Sequence, residues 1–296
     1  MIDTTRPRRS VLYMPASNRR ALEKARQLAV DGIIMDLEDA VAPAAKVAAR
    51  DHIADALAIG GYGDRELAIR VNPLATPWGH DDLVFAATAG AHAVVIPKVE
   101  SADRLRQAAA VLTAAGAPPE LAIWAMMETP MGMLNAAEIA ASGGRLQLLV
   151  MGTSDLISDL RGRPQADRLG LVTGLGLCLL AARAHGLAIL DGVHLDLDDS
   201  EGFAAQCRQG RDFGFDGKTL IHPKTIAVAN QVFGPSAETL AWSRRIIAAH
   251  AAALEAGQGM AVVDGQLIEN LHVAEAQHMV ALADRITAAA TAADCG

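Results

Sequence analysis

Apolar and polar positions along the chain alternate on two scales. Short, nearly unbroken apolar runs recur at 10–15, 32–39, 67–72, 93–99, 122–128, 146–152, 188–193 and 218–222. Runs of this length suit strands covered on both faces, as in a parallel sheet. Between them, stretches rich in Ala and Leu with polar residues at helical spacing predict helices over 20–29, 45–59, 102–115, 133–141, 174–185 and 201–213. Eight β–α units between residues 10 and 222 predict an α/β protein of the closed TIM (β/α)8 barrel type. An open doubly wound sheet would carry a Gly-rich phosphate turn after its first strand. The chain has Tyr13-Met14-Pro15-Ala16-Ser17-Asn18 there, and Gly174-Leu175-Gly176 makes no phosphate loop either.

Beyond Pro223 the pattern changes. A long helix is expected over 236–256, then a hairpin over 260–268 around Asp264-Gly265, then a last helix over 273–289. This tail is too short for a domain of its own. The expected organisation is a catalytic barrel over 1–234 and a C-terminal helix with an arm or lid over 235–296.

Composition narrows the function. About half the 296 residues are apolar (51%) and only 3% are aromatic, so the helices must pack on small side chains. A net charge of −8 argues against a nucleic-acid partner, which would need a basic face. It leaves room for a local basic pocket around a phosphorylated small molecule. Cys178, Cys207 and Cys295 are odd in number and far apart, which predicts neither a disulfide framework nor a structural zinc site. The basic N-terminus has no apolar core region, and no run approaches the ~18 apolar residues of a membrane span. A cytoplasmic protein without a membrane partner is the expectation.

In an α/β barrel the chemistry sits at the C-terminal ends of the strands. Here those ends read Asp36-Leu37-Glu38-Asp39, Arg70-Val71-Asn72, Pro97-Lys98, Met127-Glu128-Thr129-Pro130, Thr153-Ser154-Asp155 and Ile221-His222-Pro223. Charges gathered in one place are costly unless they meet a cation or each other. Glu128 and Asp155, on adjacent strands, suit magnesium, which takes oxygen ligands and keeps several waters. Capping of the following helix is the alternative, stronger for Asp155 than for Glu128. The fork of Arg70 can bind two oxygens of a substrate carboxylate. It can equally pair with Asp36 or Glu38, which are themselves candidate catalytic carboxylates. Lys98 can serve the same electrostatic purpose or sit on the rim.

Several segments then resemble one family. They are Arg9-Ser10-Val11-Leu12-Tyr13-Met14-Pro15, Asn18-Arg19-Arg20-Ala21-Leu22-Glu23-Lys24-Ala25, Asp36-Leu37-Glu38-Asp39-Ala40-Val41, Ile69-Arg70-Val71-Asn72, Pro97-Lys98, Met127-Glu128-Thr129-Pro130 and Gly214-Phe215-Asp216-Gly217-Lys218-Thr219-Leu220-Ile221-His222-Pro223. In this order they resemble the citrate lyase beta subunit and malyl-CoA lyase family, within the HpcH/HpaI aldolase superfamily. The resemblance implies a magnesium-dependent carbon–carbon lyase, with manganese as a possible substitute. Its substrate would be a 3-hydroxyacyl-CoA such as malyl-, citramalyl- or methylmalyl-CoA. The products would be acetyl- or propionyl-CoA and an oxo-acid.

The resemblance also implies roles. Glu128 and Asp155 would hold the metal, and Arg70 would bind the carboxylate or oxo group. Arg20 and Lys24, taken as the start of the first helix, would face the phosphates of coenzyme A. The Lys218–Pro223 loop would line the pantetheine and adenine side of the substrate, with Ile221, His222 and Pro223 among its contacts. Asp264-Gly265-Gln266-Leu267-Ile268-Glu269 resembles the family's arm segment, which carries an acid acting in a neighbouring subunit. Glu269 stands where Asp is usual and is one methylene longer, where a misplacement of ~1 Å can cost about 10²-fold in rate. A trimer or hexamer follows from the same resemblance. Competing readings are malyl-CoA thioesterase or malate-synthase-like chemistry, a carrier-dependent citrate lyase beta subunit, and a pyruvate aldolase that uses no CoA. The acidic run Asp191, Asp196, Asp198 and Asp199 reads as a solvated loop, with Asp191 able to reach the barrel mouth. The Met126, Met127, Met131 and Met133 group reads as core and pocket lining.

Overall fold

The computed structural model describes residue 3 and residues 5–294. Eight parallel strands close in sequence order into one barrel. They are β1 (Ser10–Pro15), β2 (Gly32–Asp36), β3 (Glu66–Arg70), β4 (Ala93–Ile96), β5 (Ala122–Met127), β6 (Leu146–Met151), β7 (Ala188–Asp191) and β8 (Gly217–Leu220). The helices between them are α1 (Arg19–Ala25), α2 (Lys46–Ile59), α3 (Gly79–Thr88), α4 (Ala102–Ala114), α5 (Pro130–Leu134), α6 (Ala136–Ala140), α7 (Thr153–Asp159), α8 (Leu169–Ala184) and α9 (Ser200–Phe213). The helix α10 (Ile226–Phe233) follows β8. This is the TIM barrel that the apolar runs predict.

Strand alternation sorts the side chains. One set, including Val11, Ile34, Ala68, Val95, Trp124, Leu148 and Leu190, fills the barrel interior. The other set, including Leu12, Met35, Ile69, Val94, Ile123, Leu149 and Ile189, packs outward under the helices. Continuing the interior set by two residues reaches Tyr13, Asp36, Arg70 and Met126, and two further along reaches Glu128. Parity alone therefore aims these side chains into the mouth.

The opposite end is held by ion pairs. Arg8 Nε and Nη2 donate to Glu66 at 2.6 and 2.9 Å. Arg9 donates to Asp31 through its backbone N–H and its guanidinium, each at 2.8 Å. A second charged cluster lies in the outward layer. Asp191 accepts from Lys218 Nζ at 2.9 Å and from Arg168 Nη1 at 2.7 and 2.8 Å. All three are buried, Asp191 and Lys218 completely, so Lys218 is a strand residue paired with Asp191 and not part of a substrate-lining loop. The expectation of a solvated loop is thus wrong for Asp191: the strand reaches it, and two cations account for its burial. Asp196, Asp198 and Asp199 are partly or fully exposed.

Other departures are local. The helix expected over 133–141 is two short ones, because Thr129 caps α5 on Gly132 N and Asn135 interrupts before α6. The helix expected from 174 starts at Leu169. The short helices α3, α7 and α10 go unpredicted. Met131 is exposed, whereas Met127 and Met133 are core and Met126 lines the mouth. Cys178 and Cys207 are buried and free; Cys295 lies outside the described residues.

The described residues form two compact units, one spanning Arg8–Phe233 and one built mainly from Gly234 onward. In the latter, α11 (Ala237–Glu255), β9 (Ala261–Val263), β10 (Gln266–Ile268) and α12 (Asn270–Asp294) enclose a small core of Ile246, Ala253, Val263, Ile268 and Val273. The hairpin turns at Asp264 and Gly265, both with positive φ. Across it, Val262 and Leu267 are paired and exposed. Among the described residues no helix is long and apolar enough to cross a membrane.

Candidate active site

The mouth of the barrel holds a cavity of about 350 Å3, lined among others by Tyr13, Asp36, Arg70, Met126, Glu128, Asp155 and Ile221. Arg70 is held there by a carboxylate. Its Nε and Nη2 donate to the two oxygens of Asp36 at 2.7 and 2.6 Å. Asp36 also accepts from the backbone of Glu38 and Ala40 at 2.9 and 3.2 Å. The carboxylate is saturated, so Asp36 orients Arg70 and offers no free lone pair for chemistry. Arg70 Nη1 remains toward the cavity, 2.9 Å from Glu38 Oε2 and 3.3 Å from Asp39. The Nε/Nη2 fork is therefore spent on Asp36 rather than on two substrate oxygens, and the Nη1 edge is what a ligand can meet.

Glu38 and Glu128 are both buried acids. Burial pushes Glu38 up to about 8 even though the Arg70 guanidinium beside it pulls the other way. Burial likewise pushes Glu128 up to about 7, opposed by the Lys98 N–H and reinforced by Asp155. The Lys98 backbone sits in the left-handed region, at φ 48°. Its N–H donates to Glu128 Oε1 at 2.8 Å, and its Nζ lies 3.4 Å from Asp155 Oδ2. Lys98 thus touches both carboxylates. Partial burial lowers its ammonium pKa, and Asp155 more than offsets this, leaving it raised.

The carboxylate pair has the character of a hard-cation site. Glu128 follows β5 directly, held by the Thr129 cap and Pro130 at the first position of α5. Gly152 is the N-cap of α7, so Asp155 falls in the first turn and makes no cap. A Cβ on Gly152 would collide with Cβ and Oε2 of Glu128. The glycine leaves the space in which the glutamate stands. Among the described residues no three His, Cys, Asp or Glu side chains group to hold a metal. Two protein oxygens suit an ion that keeps water and binds substrate oxygens, as magnesium does.

The remaining candidates are dispersed. Arg20 and Lys24 are exposed on α1 and do not line the cavity; Lys24 is in the last turn of that helix, not its start, because α1 ends at Ala25. Ile221 lines the cavity, while His222 accepts from Lys224 N through Nδ1 and caps the 3-10 turn opened by Pro223. Glu269, on the second compact unit, is exposed, and its N–H donates to His272 Nδ1 at 3.0 Å. Sequence reasoning named Tyr13 only within a motif, yet its alternation with Val11 was enough to place it in the mouth.

A closed barrel with an arginine and two carboxylates converging at the C-terminal ends of its strands has the architecture of an α/β-barrel enzyme. The comparisons with known proteins agree: the chain belongs to the HpcH/HpaI aldolase/citrate lyase family, whose sequence profile matches residues 9–223. It is 51% identical over 288 residues to a (3S)-malyl-CoA thioesterase of Cereibacter sphaeroides, covering 97% of this chain and 99% of that one. It is 34% identical over 307 residues to an L-malyl-CoA/beta-methylmalyl-CoA lyase of the same species, covering 96% of each. Among solved structures it resembles protein CitE of Mycobacterium tuberculosis in complex with magnesium, acetoacetate and coenzyme A. The TM-score is 0.75 at 33% identity, covering 93% of this chain and 97% of that one.

Proposed function

We propose that the protein is a magnesium-dependent enzyme acting on a malyl-type 3-hydroxyacyl-CoA, with manganese able to replace magnesium. The carrying observation is that Glu128, Asp155 and Arg70 line one cavity. Glu128 and Asp155 would hold the ion through oxygen, and the Arg70 Nη1 edge would meet the substrate. Bound there, the ion would act as a Lewis acid on substrate oxygens. Asp36 keeps Arg70 charged and aimed. Glu38, largely protonated near neutral pH at a value of about 8, can give or accept a proton beside the guanidinium.

Full-length similarity to a thioesterase at 51% identity favours hydrolysis to the free hydroxy-acid and CoA. The second reading is carbon–carbon cleavage to acetyl-CoA and an oxo-acid, supported by the lyase relative. Glu269 is the candidate acid or base delivered by the arm of a neighbouring copy. The exposed Val262 and Leu267 beside it supply an apolar surface for that docking, in a trimer or hexamer. Arg20 and Lys24 are candidates for the CoA phosphates.

The test is incubation with (3S)-malyl-, citramalyl- and methylmalyl-CoA plus magnesium, with products read by mass spectrometry. Malate with CoA supports hydrolysis; glyoxylate with acetyl-CoA supports cleavage. No turnover of any CoA ester, or full turnover in EDTA, overturns the proposal. Activity only with an acylated carrier protein would favour a citrate lyase subunit instead.

A further inference from the structure

Tyr13, on β1, takes no part in the chemistry proposed for Glu128, Asp155 and Arg70. Its ring packs on the barrel-interior cluster and lies 4.9 Å from the Arg70 guanidinium carbon, ring face to cation. Its hydroxyl donates to Met126 Sδ at 3.7 Å. Arg70 Nη1 donates to the same sulfur at 3.8 Å. Two donors, from β1 and β3, therefore converge on one acceptor carried by β5. All three residues line the cavity.

A thioether is a weak acceptor, so the Tyr13 hydroxyl is poorly satisfied by it, while Arg70 Nη1 makes its stronger contacts with Glu38 and Asp39 and turns only its remaining donor capacity to the sulfur. An oxygen that entered the same point would be bound more strongly by both, and most strongly if it carried negative charge. We propose that Tyr13 Oη and Arg70 Nη1 form a two-donor cradle for the thioester carbonyl oxygen, with Met126 holding the donors converged until substrate displaces its sulfur. This rests on the reading of the substrate as a CoA thioester.

The cradle serves either outcome. In hydrolysis the oxygen of water bonds to the thioester carbon and the carbonyl π pair moves onto the carbonyl oxygen. Its return expels the CoA thiolate, which takes up a proton from that water. In cleavage the substrate hydroxyl loses its proton to a base. The pair of the breaking carbon–carbon bond moves onto the same thioester oxygen as an enolate, which is then protonated at carbon. In both, negative charge appears where the two donors meet. Burial pushes the Tyr13 phenol above its ordinary value, so it remains an O–H donor throughout.

Tyr13→Phe keeps the ring on Arg70 and removes one oxygen. With malyl-CoA, kcat/KM should fall about 10²-fold, as for loss of one oxyanion donor, mostly in kcat. By calorimetry the variant should bind S-carboxymethyl-CoA, whose carboxylate stands in for the charged thioester oxygen, about tenfold more weakly. Free CoA should bind as to the wild type. If wild type turns over malyl-CoA and the variant matches it within twofold in both rate and carboxymethyl-CoA affinity, the cradle is overturned and the substrate reading stands. If wild type turns over no CoA ester yet binds carboxymethyl-CoA in a Tyr13-dependent way, the reaction reading fails and the cradle stands. If wild type binds neither, both fall. Should the variant not fold, 3-fluorotyrosine labelling gives a second measurement, because the chain has only two tyrosines. The fluorine signal of Tyr13 should shift on adding carboxymethyl-CoA. That of Tyr62, bound to the Leu22 carbonyl, should not. An unmoved Tyr13 signal overturns the cradle.

Discussion

Replacing Asp191 by Asn should destabilise the barrel more than removing a cation beside it. The cluster holds Lys218 and Arg168 against one carboxylate, at 2.9 and 2.7 Å. Asp191→Asn leaves two buried cations without an anion, and stripping a buried pair from one side costs about 3–5 kcal/mol. Lys218→Met leaves a neutral Arg168–Asp191 pair with both its bonds intact. That loss should be about 1.5–3 kcal/mol, one charge-assisted hydrogen bond. The double variant should recover about 1 kcal/mol or more over Asp191→Asn, because the lone ammonium is gone. Burial pushes the Asp191 carboxyl up, but Lys218 and Arg168 pull it below its ordinary value. Its stabilisation is therefore present above the unfolded pKa of about 3.9 and lost as pH falls through the folded value. The measurement is urea unfolding of the three variants and wild type at pH 7, repeated in acid. Wild type and Asp191→Asn should converge below about pH 4. A cost for Asp191→Asn under about 1 kcal/mol, or a larger cost for Lys218→Met, would refute the reasoning.

Other outcomes follow from the mouth of the barrel. Burial raises Glu38 to about 8, so the folded state holds its proton more tightly than the unfolded chain, and wild type loses stability as pH climbs from about 4.3 through 8. Glu38→Gln should thus gain on wild type by about 4 kcal/mol between pH 5 and pH 9 in urea melts, and parallel curves would count against it. Gly152→Ala should displace Glu128 and lower turnover by about 10²-fold at saturating magnesium, with the fold checked by circular dichroism; a rate within threefold of wild type rejects the steric argument. Glu128→Ala or Asp155→Ala should abolish magnesium-dependent turnover while leaving a folded barrel, and calorimetric magnesium binding equal to wild type would reassign both. Mixed oligomers of Glu269→Ala and Arg70→Ala chains should regain activity if Glu269 acts across copies; none in verified mixtures disposes of the trans arm.

The eight strands were legible because strands covered on both faces are continuous apolar runs, and 10–15 matches to the residue. Their C-terminal bounds were read up to three residues too far, as at β2, because Asp36-Leu37-Glu38-Asp39 continues the alternation after pairing stops. The helix α7 has only seven residues, too few to show a period. The Asp191 cluster was hidden because its partners come from β8 and the start of α8, and because a run of acids reads as solvent-facing. The Arg70–Asp36 pair was foreseen as an alternative. That it saturates Asp36 needed the backbone bonds from Glu38 and Ala40, which no side-chain pattern reports.

Lys218 also bears on how the barrel closes. It is in register with Ser10 of β1 on one side and with Asp191 of β7 on the other, so it stands on the seam where the last strand meets the first. Sliding β8 by one residue would turn every side chain to the opposite face. The ammonium would then enter the apolar barrel interior, and Asp191 would be left with Arg168 alone. A slipped register therefore carries an electrostatic cost at this seam, on top of any loss of packing.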